Sequence, residues 1–448
     1  MKFKVLVSFL IILQTFSYGQ QLRVIGDYSA KGIVFSSDES PFWFHSNQRG
    51  RINEMSNLST YATGLMTYQI NENSNFLVGA GILFQNGYID KIQLDESFFG
   101  FENSWLEVTV GRKQRKELYK GLSASNKNIL MSLNARPLPG LSLKTTRPVY
   151  ISKRAGIAFQ ATLEEFITDD ERYVADTRVH HKSAYLVIDK IPGIEFSLGL
   201  EHYVQWAGIS PEFGVLPRGF DDYLRMFMGS EGSNDVGGEE VNALGNHIGG
   251  YVAGIKTSIN DYNIEIIYNH LFEDGSGRRM GNTPDGRYGI YIEDVEKVKI
   301  IKWVNAFMYE LYYTKHQSYT SSGTDGTDNY FNNNLYRSGW TYESRILGVP
   351  FITVDEERFR IGNNILLAHH IGIAGVAFER FPYKFLNSYR MNYGSKTNSD
   401  IPNNVFSTYL DLNVYQGDLG ISLQLGADFS TIAPPNVGFG IQLSKILF

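Results

Sequence analysis

An all-β fold, a transmembrane antiparallel β-barrel with short helical plug segments, is what this 448-residue sequence predicts. Three observations carry the prediction. Apolar and polar residues alternate in strand-length segments from one end to the other. The composition is rich in aromatics yet holds no apolar run long enough for a membrane helix. The chain opens with an export signal and closes on an aromatic residue.

The alternation is clearest near the end. Leu419, Ile421, Leu423, Leu425, Ala427 and Phe429 interleave with Asp418, Gly420, Ser422, Gln424, Gly426 and Asp428. Successive strand side chains point to opposite faces, so such a segment meets lipid on one side and water or protein on the other. One strand later comes Phe448, the terminal aromatic by which the barrel-insertion machinery would engage the closing strand.

Aromatics make up 14% of the residues, with 28 Tyr and 29 Phe, yet the mean hydropathy is -0.22. A membrane barrel reconciles the two because only alternate residues face lipid.

The first element is the export signal. Lys2 and Lys4 give a basic start, Val5 to Leu13 is apolar except for Ser8, and Ser17 and Gly19 suit cleavage after Gly19. That run is too short to span a bilayer. Residues 1–19 therefore read as a cleaved signal peptide and residues 20–448 as the barrel, placed in the outer membrane of a Gram-negative bacterium among its lipids. The absence of cysteine excludes disulfides and a lipid-modified cysteine. Losing Lys2 and Lys4 takes the net charge from -6 to -8, which argues against nucleic acid as a partner.

Strand segments follow in order. Phe76, Val78, Ala80, Ile82 and Phe84 share one face, Leu106, Val108 and Val110 oppose Glu107 and Thr109, and Phe196, Leu198 and Leu200 oppose Ser197, Gly199 and Glu201. Turns such as Asn71 to Asn75 separate them, and roughly sixteen to eighteen segments can be counted. The last strand changes parity between Leu443 and Ile446, which a bulge near Ser444 and Lys445 would repair. Three stretches do not alternate. Residues 113–138 and 220–228 have helical spacing and read as plug segments, and Thr320 to Asn334 reads as an outward loop.

Several stretches resemble the capsule-assembly Wzi family of outer-membrane proteins. They are Ser40-Pro41-Phe42-Trp43-Phe44-His45-Ser46-Asn47-Gln48, Asn128 to Pro139 with its Asn134-Ala135-Arg136-Pro137, His270 to Gly277, Thr314 to Ser318, and Tyr330 to Trp340. The resemblance implies about eighteen strands, helices plugging the periplasmic side, and retention of capsular polysaccharide by a lectin-like protein that is not an enzyme.

Candidate binding residues have plainer readings beside them. Asn332, Asn333, Tyr336, Arg337 and Trp340, with His316 and Gln317, combine rings, amides and charge as sugar sites do; for Trp340 an aromatic girdle is the competing account. Arg112, Lys113, Arg115, Lys116 and Lys120 form the densest basic run, whose first four residues suit an acidic polysaccharide or lipid phosphate, or else a solvated face. The pairs His180-His181 and His369-His370 put only one ring on each face of a strand, so no metal is expected. Glu273, Asp274, Asp285 and Arg287 lack the spacing of a calcium loop. Nucleophile and nucleotide motifs are lacking, so no cofactor is expected and catalysis is not favoured. A porin or substrate channel is the alternative function.

Overall fold

The computed structural model describes residues 22–87, 91–232, 243–273, 275–295, 302–318, 328–355, 360–396 and 402–447. The signal peptide and Phe448 lie outside these residues, as do Asp274 and residues 320–327 of the outward loop.

Among the described residues one sheet contains nineteen strand pieces, every pairing antiparallel. Gly140–Thr145 and Val149–Ser152 both lie against Ile157–Ile167, so they share one position in the wall and the barrel has eighteen. The first strand, Leu22–Phe35, pairs with the last, Asn436–Ile446, and this closes the barrel and leaves no free edge. No described helix is long and apolar enough to cross a membrane.

Burial is inverted relative to a water-soluble protein. Leu425, Phe429, Val437, Phe439 and Ile441 are exposed on the outer face, while Gln424, Ser407, Glu310 and Arg287 are buried within. Alternation alone produces this, since the apolar parity faces out.

The two rims differ. Short connections such as Asn71 to Ser74, Ile259 to Tyr262 and Gln416 to Gly420 share one rim, where the rings of Trp105, Trp303 and Phe378 are exposed. The other rim carries the long connections 36–57, 113–139, 207–245 and 314–365. In outer-membrane barrels the short turns face the periplasm.

Three expectations need correction. Residues 113–138 contain a single 3-10 turn, Tyr119–Gly121, and otherwise run irregularly. Ile129, Leu130 and Leu133 are buried without a helix because side chains satisfy the backbone locally, as when Leu130 N–H donates to Asn128 Oδ1 at 2.9 Å. The helix Phe220–Met228 does form, but it packs on the outside of the wall and plugs nothing. No bulge interrupts the closing strand, which pairs in register from Asn436 to Ser444 and from Gly438 to Ile446. Ile446 takes an inward position, lining a cavity of about 900 Å³.

The inward-folded segments start from the long-loop rim, opposite to the periplasmic plug that the resemblance implies. Their side chains and those of the wall make one hydrophobic core inside the barrel, which includes Phe44, Leu130, Tyr203, Trp340 and Phe351.

Candidate functional site

The plug is built from three segments that meet in the lumen. In 36–57, Phe42, Trp43 and Phe44 are buried. Phe44 lies in a notch of the wall where Gly426, Gly438 and Gly440 face it; a Cβ on any of them would come within 2.9 Å of its ring. Asn47 donates its side-chain amide to the Ala124 carbonyl at 2.7 Å and thereby fixes the second segment, 113–139. From there Ser132 Oγ donates to the Gly348 carbonyl at 2.6 Å, and Asn134 Nδ2 to the Ile346 carbonyl at 3.0 Å. Arg136 pairs with Glu343 at 2.5 Å. The Asn-Ala-Arg-Pro stretch is therefore the clasp of the third segment, the described residues of 314–365.

Buried charge ties plug to wall. Glu310 accepts from Ser123 Oγ and the Ala124 N–H, each at 2.7 Å, and pairs with Arg287 at 2.6 Å. Asp285 is a second hub, accepting from the His316 and Gln317 N–H groups at 2.9 and 2.7 Å and from Tyr330 Oη at 2.7 Å. Burial pushes its carboxyl up from the ordinary value, against the pull of those bonds. Asp285 and Arg287 thus hold the architecture together, in roles that the acidic-turn reading missed.

Most predicted sugar-binding residues turn out to be plug core. Trp340 is fully buried with its Nε1 donating to the Leu130 carbonyl, so it is neither a girdle residue nor a surface ring. Tyr336 is buried with its hydroxyl on the Ala207 carbonyl at 3.2 Å. Asn333 Oδ1 accepts from the N–H groups of Leu335 and Tyr336 at 2.9 Å, and Asn332 Nδ2 donates to the Ile361 carbonyl at 3.3 Å. Gln317 is buried as well, and His316 half-buried.

Arg337 differs. Its side chain is 38% exposed, and its guanidinium lies 4.6 Å from the centre of the Tyr173 ring and pairs with Glu212 at 2.9 Å. Asn334, whose carbonyl accepts from Arg337 Nε at 3.1 Å, is exposed beside it. Tyr173 and Leu335 rest on the small apolar cluster of Val174, Leu216 and Tyr336, which gives the patch a firm base. Ring, guanidinium, carboxylate and amide together can meet both the apolar face and the hydroxyls of a sugar. Three loops contribute, so Tyr173 and Glu212 carried no local signal in the sequence; only the fold brings them to Arg337.

The basic run is largely satisfied internally. Arg112 pairs with Asp169 at 2.9 Å, Lys113 with Glu107 at 2.8 Å, and Arg115 approaches Glu164 at 4.0 Å. Lys113, Arg115 and Lys116 line a cavity of about 390 Å³ on the short-turn side of the plug. Lys116 is exposed there. The histidine pairs obey strand alternation: His181 lies inside between Glu164 and Glu201, His180 outside against Glu165. No group of three His, Asp or Glu among the described residues has the arrangement of a metal site.

A closed eighteen-strand barrel, apolar outside and filled from its long-loop rim, defines the class: a plugged outer-membrane β-barrel. The profile of the family described as capsule assembly protein Wzi matches residues 28–370, and the chain belongs to that family. Among solved structures it is similar to Wzi of Escherichia coli, described as a carbohydrate-binding β-barrel involved in group 1 capsule assembly. The identity is 12% and the TM-score 0.59, over 97% of this chain and 86% of that one. OccK5 of Pseudomonas aeruginosa is more distant, with 9% identity and a TM-score of 0.49 over 96% and 98% of the two chains. No curated protein matches the sequence.

Proposed function

We propose that this barrel holds capsular or other surface polysaccharide at the outer face of the outer membrane, as a lectin and without catalysis. The filled lumen is the observation that carries the reading. Family membership agrees, and the relative from Escherichia coli is itself described as carbohydrate-binding. An open channel would need water through the plane where Phe44, Trp340, Tyr203 and Phe351 pack.

Sugar binding is assigned to the outward patch of Tyr173, Glu212, Asn334 and Arg337. Each contact with a sugar is weak, and a repeating polymer gains its hold from many of them. Export through a cleaved signal peptide and insertion through the C-terminal Phe448 complete the proposal. The test is removal of the protein from its host, with cell-bound and released polysaccharide measured separately. Release into the medium at normal total yield is expected; unchanged attachment would sink the reading. Steady conductance of the purified barrel in a planar bilayer would instead favour the channel.

A further inference from the structure

The helix Phe220–Met228 covers a polar patch on the outer face of the wall. Glu164 meets Arg115 and His181 in the lumen, so its neighbour Glu165 points outward. By the same alternation His180, Lys182, His202 and His247 share that outer face. Charged groups there are unfavourable against hydrocarbon. Each is covered or partnered. His180 Nδ1 bonds Glu165 Oε1 at 2.5 Å, and Tyr223 on the helix donates its hydroxyl to the same oxygen at 2.8 Å. His202 and His247 share a hydrogen bond at 2.9 Å, and Lys182 donates to the carbonyl of Phe227. Met226 is fully buried with Val204, Trp206 and Leu244.

The opposite face of the helix has none of the described residues packed against it. Phe220, Leu224 and Met228 recur every four residues, which puts them on one stripe, and they are 74%, 47% and 75% exposed. Asp221 and Arg225 are exposed beside the stripe. Both helix ends are satisfied internally, with the Gly219 N–H on Asp222 Oδ2 at 2.8 Å and the Ser230 N–H on the Arg225 carbonyl at 2.9 Å. The stripe continues the wall's lipid-facing belt, since Ile167, Leu186, Leu198 and Leu200 are exposed on the same face of the strands beneath.

We infer that Phe220, Leu224 and Met228 insert among the acyl chains of the outer leaflet. The helix is then an interfacial anchor fixed to the barrel wall, with its apolar stripe in lipid and its inner face over the histidine patch. Nine residues would bind a membrane feebly alone; contacts to the wall hold this helix in place at the long-loop rim.

The chain has no cysteine, so Leu224→Cys, Met228→Cys and Arg225→Cys each create a single site for a nitroxide label. The full-length barrel would be reconstituted in vesicles of phosphatidylethanolamine and phosphatidylglycerol, and power saturation measured with oxygen and with a water-soluble nickel chelate. Labels at 224 and 228 should be relaxed several-fold more by oxygen than by nickel, and the label at 225 should show the reverse. Equal nickel access at all three sites would overturn the inference. So would shielding of 224 and 228 from both reagents, because protein would then cover the stripe. The result is independent of whether polysaccharide binds.

Discussion

Trp340 donates its indole N–H to the carbonyl oxygen of Leu130 at 2.6 Å, inside the barrel and out of contact with water. This bond joins the third inward segment to the second, residues that lie 210 positions apart. Its geometry makes the plug one packed unit, and the closure of the lumen depends on such bonds more than on helices.

Trp340→Phe keeps most of the ring but orphans the Leu130 carbonyl. A loss of about 1–3 kcal/mol is expected, with conductance in planar bilayers rising above that of the parent barrel. A variant as silent as the parent would show that the plug does not rely on this contact.

The fit of Phe44 into its glycine notch is testable by exchange. Gly440→Ala brings a methyl to 2.9 Å from Phe44 Cε1, and overpacking of this kind costs about 1–3 kcal/mol. Adding Phe44→Leu should return part of that loss. Urea unfolding of both variants measures it, and additive losses would contradict direct contact.

Glu310→Gln leaves Arg287 charged and buried without its partner. Breaking a buried ion pair from one side costs about 3–5 kcal/mol. Protease cleavage within 113–139 should accelerate, since Glu310 holds Ser123 and Ala124; a cleavage rate equal to the parent's would refute that tether.

Acid should loosen the plug through His45. Burial, helped by nearby Arg345, lowers its pKa from the ordinary 6.5 to about 3. The unfolded chain takes up its proton at the ordinary value, so between these limits it binds more protons than the fold does. The contribution of His45 is therefore constant above pH 6.5 and falls as pH drops toward 3. Burial pushes the Glu54 carboxyl up, but Arg345 outweighs this and holds it below its ordinary 4.5. Its contribution is lost only below that value, so the two groups separate. The unfolding midpoint followed from about pH 8 to about pH 4.5 checks this, with a shallower slope expected for His45→Gln. An unaltered slope would assign the acid effect elsewhere.

At the outward patch Arg337→Ala and Tyr173→Ala should each weaken binding of isolated capsular polysaccharide severalfold, and Arg337→Ala should leave unfolding within about 0.5 kcal/mol of the parent, as surface changes do. Loss by degrees marks a lectin. Binding unchanged in the double variant would move the sugar site to another surface.

Alternation by itself determined the barrel. A period of two fixes which residues face lipid, so Leu425, Phe429 and their kind were readable without coordinates, as was the opposition of His180 and His181. The resemblance in 40–48, 128–139 and 330–340 named stretches that belong together, and the clasp between Asn134 and Ile346 shows what they do. Only tertiary structure decided the roles of the irregular segments. Rings and amides of the kind that grip sugars also build a buried plug, and their order along the chain does not tell the two uses apart. Trp340 and Asn333 went inward because the lumen of a wide barrel must be filled, and Arg337 stayed out because Glu212 and Tyr173, from two other loops, meet it at the rim. The same holds for Phe220–Met228: its amphipathic period predicted a helix, while the polar patch on the wall outside determined which side of the barrel it would cover.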